Sequence, residues 1–365
     1  MVSHENQPDK TEDTPGRIPS NRRLNTSCRK QQKPQQATDA STMDFTQRSP
    51  EEALSIGDVA PCASPPAMRS DRLPDILPHA VVGLGRFGNI HARKLIGLPG
   101  FQLRAMVDPC ATPPQQETSL SPVPFLRGVA ELPFDIASAT IASSDATHAE
   151  VALELIARGC HLLVEKPICL APADGMRMLQ AAKQQGVTLC TGHVERFNPL
   201  FHPLRRAEIL AFATEQRGRP APMLHFRRRS CRQAAAMDSV LDLMVHDLDL
   251  MAWLCAVPRH APLELIDRRV SATSVRVHVQ LDGLEAVFES GFGATVPEAV
   301  IQMETGHGPL TLDLRDAHAS QPKGSDPLCQ QYAAFRQAIR GEPTCIATGH
   351  DGLAAVVRAC RILQA

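Results

Sequence analysis

From Pro78 to about Val194, short apolar runs alternate with stretches of helical spacing. The apolar runs predict strands over 79–84, 102–107, 136–142, 161–165 and 187–191, and the intervening spacing predicts helices over 88–97, 147–158 and 172–185. Thr147 and Glu150 stand in the S/T-x-x-E relation of a capping box at the start of the second helix. Gly159 and Gly186 fall where helix C-caps belong. Strand–helix alternation of this length predicts a parallel sheet covered on both faces.

From Glu195 onward the rhythm changes. One long apolar helix is predicted over 238–256. Segments at 270–281, 284–293, 299–304 and 309–314 read as antiparallel strands, and 327–339 and 349–363 read as closing helices. The fold expected is α/β, a doubly wound parallel sheet over 77–194. An α+β domain over 195–365 with a largely antiparallel sheet follows. A sheet with few covering helices has a spare face, where a second subunit would produce a homodimer or homotetramer. Residues 1–76 are rich in Pro, Ser, Gln and Thr and poor in apolar clusters. They are expected to be disordered or to be an over-extended start, with Met68 the alternative first residue.

The turn after the first strand carries Gly83, Gly85 and Gly88 in G-x-G-x-x-G spacing. Asp108 follows about 20 residues later, at the end of the second strand. The first glycine permits a tight turn, the second lets backbone N–H groups approach a pyrophosphate, and the third lets helix and strand pack closely. An acid at position 108 would bond the ribose hydroxyls of NAD and repel the 2′-phosphate of NADP. The parallel sheet is therefore expected to be a Rossmann sheet with NAD as cofactor.

Bulk properties narrow the partners. The 365 residues suit two domains, and a net charge of −1 favours neither nucleic acid nor anionic lipid. The 11 cysteines include no C-x-x-C pair, which points to free thiols rather than disulfides or zinc, and no metal is expected. No apolar run is long enough to cross a bilayer, and the N-terminus lacks the apolar core of a secretion signal. A cytoplasmic location is expected.

Three further features could carry chemistry. Lys166 follows a strand whose carboxyl end opens on the cofactor crevice, where a lysine can hydrogen-bond a substrate hydroxyl and stabilise an alkoxide; a solvated lysine is the alternative. Asp242, His246 and Asp249 share one face of a helix that is otherwise apolar. His246 could act as general base with Asp242 setting its tautomer, or the stripe could be a hydrogen-bonded core feature or a thin metal set. At the junction of the two domains, His193, Arg196 and Asn198 could orient a polar or anionic substrate, or form a hinge whose charges pair with one another. The run Arg227-Arg228-Arg229, following an expected strand, reads as a solvated or salt-bridged face.

The pieces VVGLGRFGNIHARKL, SSDATHAEVALELIARGCHLLVEKP and DLMVHDLDL, in this order, resemble the glucose–fructose oxidoreductase, inositol 2-dehydrogenase and rhizopine-catabolism family. The likeness runs from about residue 79 to the C-terminus. It implies that Lys166, Asp242 and His246 are the catalytic group, and that the Lys166–Pro167 peptide is cis. It also implies that Arg86, Phe87, Ser143, His148 and Glu165 join the glycines, Asp108 and Lys166 around the cofactor, with His193, Arg196, Asn198, Asp242 and His246 around the substrate. GHVERFNP and MDSVLDLMVHDLDL are most similar to sugar-nucleotide oxidoreductases of the UDP-N-acetylglucosamine 3-dehydrogenase kind, which prepare amino sugars for lipid A or O-antigen. Two features depart from the family: Ala142-Ser143-Ser144 lacks the usual proline, and Met237-Asp238-Ser239 replaces Gly-Gly. The activity expected is NAD-dependent oxidation of a sugar ring hydroxyl. A glycoside hydrolase using tightly held NAD, and a non-catalytic NAD-binding sensor or scaffold, are the alternatives.

Overall fold

The computed structural model describes residues 74–111, 120–219, 221, 224–305, 308–316 and 326–365. All but the last three residues of the segment expected to be disordered lie outside these. The first region holds strands β1 (Leu77–Val82), β2 (Phe101–Val107), β3 (Phe125–Leu126), β4 (Ser138–Ile141), β5 (His161–Val164) and β6 (Leu189–Thr191). Every pairing among them is parallel, in the order β3-β2-β1-β4-β5-β6, the arrangement of a Rossmann sheet. The strands read as continuous apolar runs because both faces are buried. Ala80 and Val82 join the core under helices α2 (His148–Ala157) and α3 (Pro172–Gln185), whereas Val81, between them, joins the core on the opposite face, beside α1 (Arg86–Leu95).

The expected cap at Gly186 is present: its φ is +68° and its N–H bonds back to Ala182 and Lys183. Gly159, φ +79°, sits just past the end of α2. The capping box at Thr147 is not formed. Thr147 lies in a 3₁₀ turn, Asp145–Thr147, and its hydroxyl bonds Ser143 Oγ and the Ser144 carbonyl instead of the helix start. A capping box does form where none was expected, between Thr348 and Asp351 at the start of α7 (Gly349–Gln364).

The second sheet holds β7 (Leu224–Arg229), β8 (Leu263–Val270), β9 (Ser274–Leu281), β10 (Leu284–Gly291), β11 (Glu298–Thr305) and β12 (Gly308–Asp313), in the order β12-β11-β7-β10-β9-β8. Its pairings are antiparallel except for β7 with β10. Sequence patterning missed β8, an edge strand with a register shift between Leu265 and Asp267 and several exposed residues, so its alternation is broken. It also missed α4 (Pro203–Gln216). The three arginines do not follow a strand; they are the last half of β7. Val275, Val277, Val279, Phe226 and Phe288 line the inner face and pack on the predicted long helix. That helix is a π-helical turn, Val240–Met244, running into α5 (Val245–Leu254).

The closing helices tie the two regions together. Tyr332 and Phe335 of α6 (Pro327–Ile339) enter the core of the first sheet rather than the second. Lys94 of α1 bonds Asp326 at the start of α6, 2.6 Å apart. Along α7, Val356 packs in the first region, and Ala359 and Ile362 pack in the second. Among the described residues, no helix is long and apolar enough to cross a membrane.

Candidate active site

The glycine turn divides its three roles as the spacing predicts. Gly83, φ +89°, lies so close to β4 that a Cβ would overlap the backbone of Ser143; a Cβ on Gly88 would overlap the carbonyl of Gly83. At Gly85 a Cβ would meet nothing within 4 Å. Gly85 is also the N-cap of α1 and offers no side-chain cap. The first N–H groups of that helix are therefore left for an anion in open space, which fits a pyrophosphate. Phe87 is 55% exposed and Arg86 is exposed beside it, at the rim of this turn.

Asp108, just past the end of β2, is partly committed to the loops. Its Oδ2 accepts from Leu84 N at 2.7 Å, and its Oδ1 accepts from Cys110 N and Ala111 N at 2.8 and 2.7 Å. A carboxylate has roughly four acceptor positions, so room for a ribose hydroxyl remains. Burial alone would raise its pKa, but these three N–H donors and the nearby Arg127 hold it below the usual carboxylate value. Sequence reading gave no role to Arg127, whose guanidinium lies over Phe125 and donates to the Ala111 carbonyl.

Three residues expected at the cofactor make their hydrogen bonds within the protein. His148 is buried, with Nδ1 2.8 Å from the Pro167 carbonyl and Nε2 3.2 Å from that of Ser143. It ties the β4 and β5 loops together instead of presenting a ring to the crevice. Glu165 is bonded to His91 at 3.0 Å and to the backbone N–H of Lys166 at 3.3 Å. Ser143, half-buried, spends its hydroxyl on Thr147.

Lys166 and Asp242 meet across the two regions. Lys166 follows β5, and the Lys166–Pro167 peptide is cis. Its ammonium donates to Asp242 Oδ1 at 2.9 Å and to the Asp242 carbonyl at 2.8 Å. Asp242 lies in the π-helical turn, a geometry often found at functional sites. Its Oδ2 accepts from Arg232 at 2.6 Å, a partner the sequence did not signal because the link spans a loop. His246 lies four residues beyond Asp242. Burial, then the charges of Lys166, Arg228 and the neighbouring His193, push its pKa well below the usual value, so the imidazole is neutral. His246 Nδ1 and both ring nitrogens of His193 are buried without a hydrogen-bond partner, and the two rings stand edge to face with centroids 6.1 Å apart.

Arg196 and Asn198, expected to orient the substrate, are instead internal braces. Arg196 grips Asp249 with two bonds of 2.9 and 2.5 Å, both groups nearly fully buried. Asp249 thereby leaves the polar stripe expected with Asp242 and His246. Asn198 donates to the Leu314 carbonyl at 2.7 Å and accepts from Leu200 N. Arg228 is buried against Asp247 and Glu195, each at 2.8 Å. Burial opposes its charge, but the two carboxylates outweigh that and raise its pKa. Arg227 and Arg229 pair with Glu298 and Glu289, so the basic run is salt-bridged on both faces.

An uncapped helix start beneath a glycine turn, with an acid just past the second strand, is an arrangement suited to a dinucleotide. Residues 77–193 match the GFO/IDH/MocA family model, described as an oxidoreductase family with an NAD-binding Rossmann fold. NAD is the cofactor of that domain. The chain is 29% identical over 170 residues to UDP-N-acetylglucosamine 3-dehydrogenase of Acidithiobacillus ferrooxidans, covering 47% of this chain and 51% of that relative. It thus spans about half the length of that curated relative. It is 28% identical over 256 residues to inositol 2-dehydrogenase 2 of Saccharopolyspora erythraea, covering 62% and 74% of the two chains. The solved structure of the Acidithiobacillus ferrooxidans enzyme shares the fold, with a TM-score of 0.65 at 22% identity, covering 78% of this chain and 96% of that one.

Proposed function

We propose that this protein is an NAD-dependent dehydrogenase that oxidises a ring hydroxyl of a sugar, in the first place the 3-hydroxyl of a UDP-linked N-acetylhexosamine. The observation that carries this reading is the Lys166–Asp242 pair beside a neutral His246. Lys166 has three N–H donors and spends two on Asp242. The third is available to an alcohol oxygen and stabilises negative charge as it develops there. His246, being neutral, can accept the hydroxyl proton. Asp242, braced by Arg232, holds the ammonium in place. NAD, when bound, supplies the hydride acceptor.

Support for the sugar nucleotide comes from the dehydrogenase named for it among the relatives, and from the GHVERFNP and DLMVHDLDL segments. Amino-sugar supply for lipopolysaccharide is the corresponding role. Assembly as a homodimer or homotetramer would use the outer face of the second sheet. The test is incubation with NAD and a panel of UDP-sugars and free inositols. NADH absorbance and a mass loss of two hydrogens are followed, and a coupled transaminase traps the ketone. NADH formation with UDP-N-acetylglucosamine is expected. Sugar release without net NADH would mean the hydrolase alternative, and inertness towards the whole panel would mean a binding protein.

A further inference from the structure

A chain of buried polar side chains runs from the cofactor crevice into the core of the first sheet, and the mechanism above does not use it. Glu165 Oε1 lies 3.0 Å from His91 Nε2, and His91 Nδ1 lies 2.8 Å from the Tyr332 hydroxyl. That hydroxyl lies 2.9 Å from Thr140 Oγ1. Thr140 Oγ1 in turn lies 2.9 Å from His79 Nε2, and His79 Nδ1 lies 2.7 Å from Ser138 Oγ. His79, Ser138 and Thr140 are fully buried, as is Tyr332, and His91 is 1% exposed. The chain is assembled from distant parts of the sequence: β1, α1, β4, the end of β5, and α6, whose Tyr332 lies 241 positions from His91.

With Glu165 ionised and His91 taken as neutral, the direction of every bond follows. A carboxylate can only accept, so His91 must donate from Nε2. A neutral His91 then accepts at Nδ1 from the Tyr332 hydroxyl. Tyr332 must in turn accept from Thr140, Thr140 from His79 Nε2–H, and His79 Nδ1 from Ser138. Each donor finds an acceptor and none is left over, with every O–H and N–H pointing towards Glu165. Reversing the chain would aim a lone pair of His91 at the carboxylate, which requires a proton on Glu165. Burial would raise the pKa of Glu165, but the His91 bond and the neighbouring Lys166 hold it low, while burial drives His79 down to about 3. Gly192 leaves the space the carboxylate occupies, since a side chain there would meet Glu165 Oε1.

We propose that His79, Thr140, Tyr332 and His91 are positioning residues that fix Glu165 as an oriented anion in the crevice, and that this anion favours the cationic, oxidised form of the nicotinamide over the neutral, reduced form. The inference rests on NAD occupying this crevice but not on the identity of the sugar. Two measurements test it without any substrate. Nitrogen NMR of histidine-labelled protein at neutral pH should find both His79 and His91 neutral with hydrogen on Nε2, assigned by His79→Asn and His91→Gln. Hydrogen on Nδ1 of either ring, or a doubly protonated His91, would overturn the proposal. Tyr332→Phe removes one hydroxyl at nearly constant volume and cuts the chain in the middle. The preference for NAD over NADH in paired titrations should then shrink by about tenfold, the scale of a partly screened charge contact, while affinity for an adenine-only fragment such as ADP-ribose is retained. An unchanged ratio in a folded variant would also overturn it, and if that variant does not fold, the ring assignments on the unaltered protein decide. Inertness towards every sugar would leave both readouts intact.

Discussion

Three aspartates on one helical segment meet two different fates. Asp247 is clasped by the buried Arg228, and Asp249 by the buried Arg196. Asp242, one to two turns earlier, is 31% exposed and pairs with Lys166, itself 12% exposed, and with an Arg232 that is largely in solvent. All three are ion pairs, yet two are shut in the interior and one is partly exposed. Burial makes the difference. An isolated charge inside the protein is so costly that its partner must be permanent. Asp242 keeps part of its carboxylate in water, and Lys166 has a third N–H beyond the two it spends on Asp242.

That contrast can be broken most severely at the braces. Arg228→Ala should strand Asp247 and cost about 3–5 kcal/mol in urea unfolding. Arg228→Met combined with Asp247→Leu and Glu195→Gln should recover much of that loss, since it removes all three charges; no recovery would mean that the three do not act as a unit. At the crevice, Lys166→Ala should lower turnover about 100-fold, the scale of one positioned donor, with NAD affinity within a few-fold. Lost NAD binding with unimpaired chemistry would remove Lys166 from the mechanism.

Acid sharpens the comparison in another way. His79 is neutral in the fold, at about 3 against an ordinary 6.5, so below pH 6.5 the unfolded chain binds a proton that the folded one does not. The stability it contributes is complete above pH 6.5 and is lost as pH falls; at pH 5 the loss is about 2 kcal/mol from this residue alone. His193 and His246 act in the same direction. Urea midpoints measured from pH 8 to 5 should fall accordingly, and a flat profile would mean that these rings charge within the fold. The smallest effect expected is at Asp108. Asp108→Ala should weaken NAD by about tenfold and narrow its advantage over NADP, read by titration with both cofactors.

The first sheet was legible because its signals are local. Continuous apolar runs, cap glycines and the glycine turn each act within a few residues, and Gly83, Gly85 and Gly88 do what their spacing implies. The 172–185 and 327–339 helices were legible for the same reason. The second sheet was less so. β8 is a bulged edge, and β7 hides half its length under three arginines whose alternation pairs them to opposite faces. At the candidate site, motif order singled out Lys166 and Asp242, which the fold brings together. The roles of Arg196, Asn198 and His148 could not be read this way, because a polar side chain's work depends on which distant group it meets.

By itself, the sequence determined the parallel sheet, the dinucleotide turn and the residue types available for chemistry, since these follow from short-range sterics and periodicity. Only the tertiary structure decided which charges became braces and which stayed open. It alone brought Arg232 to Asp242 and threaded Tyr332 between His91 and Thr140. Such pairings arise when residues far apart in the chain are buried together and must satisfy one another's hydrogen bonds out of water, a condition that no local pattern encodes.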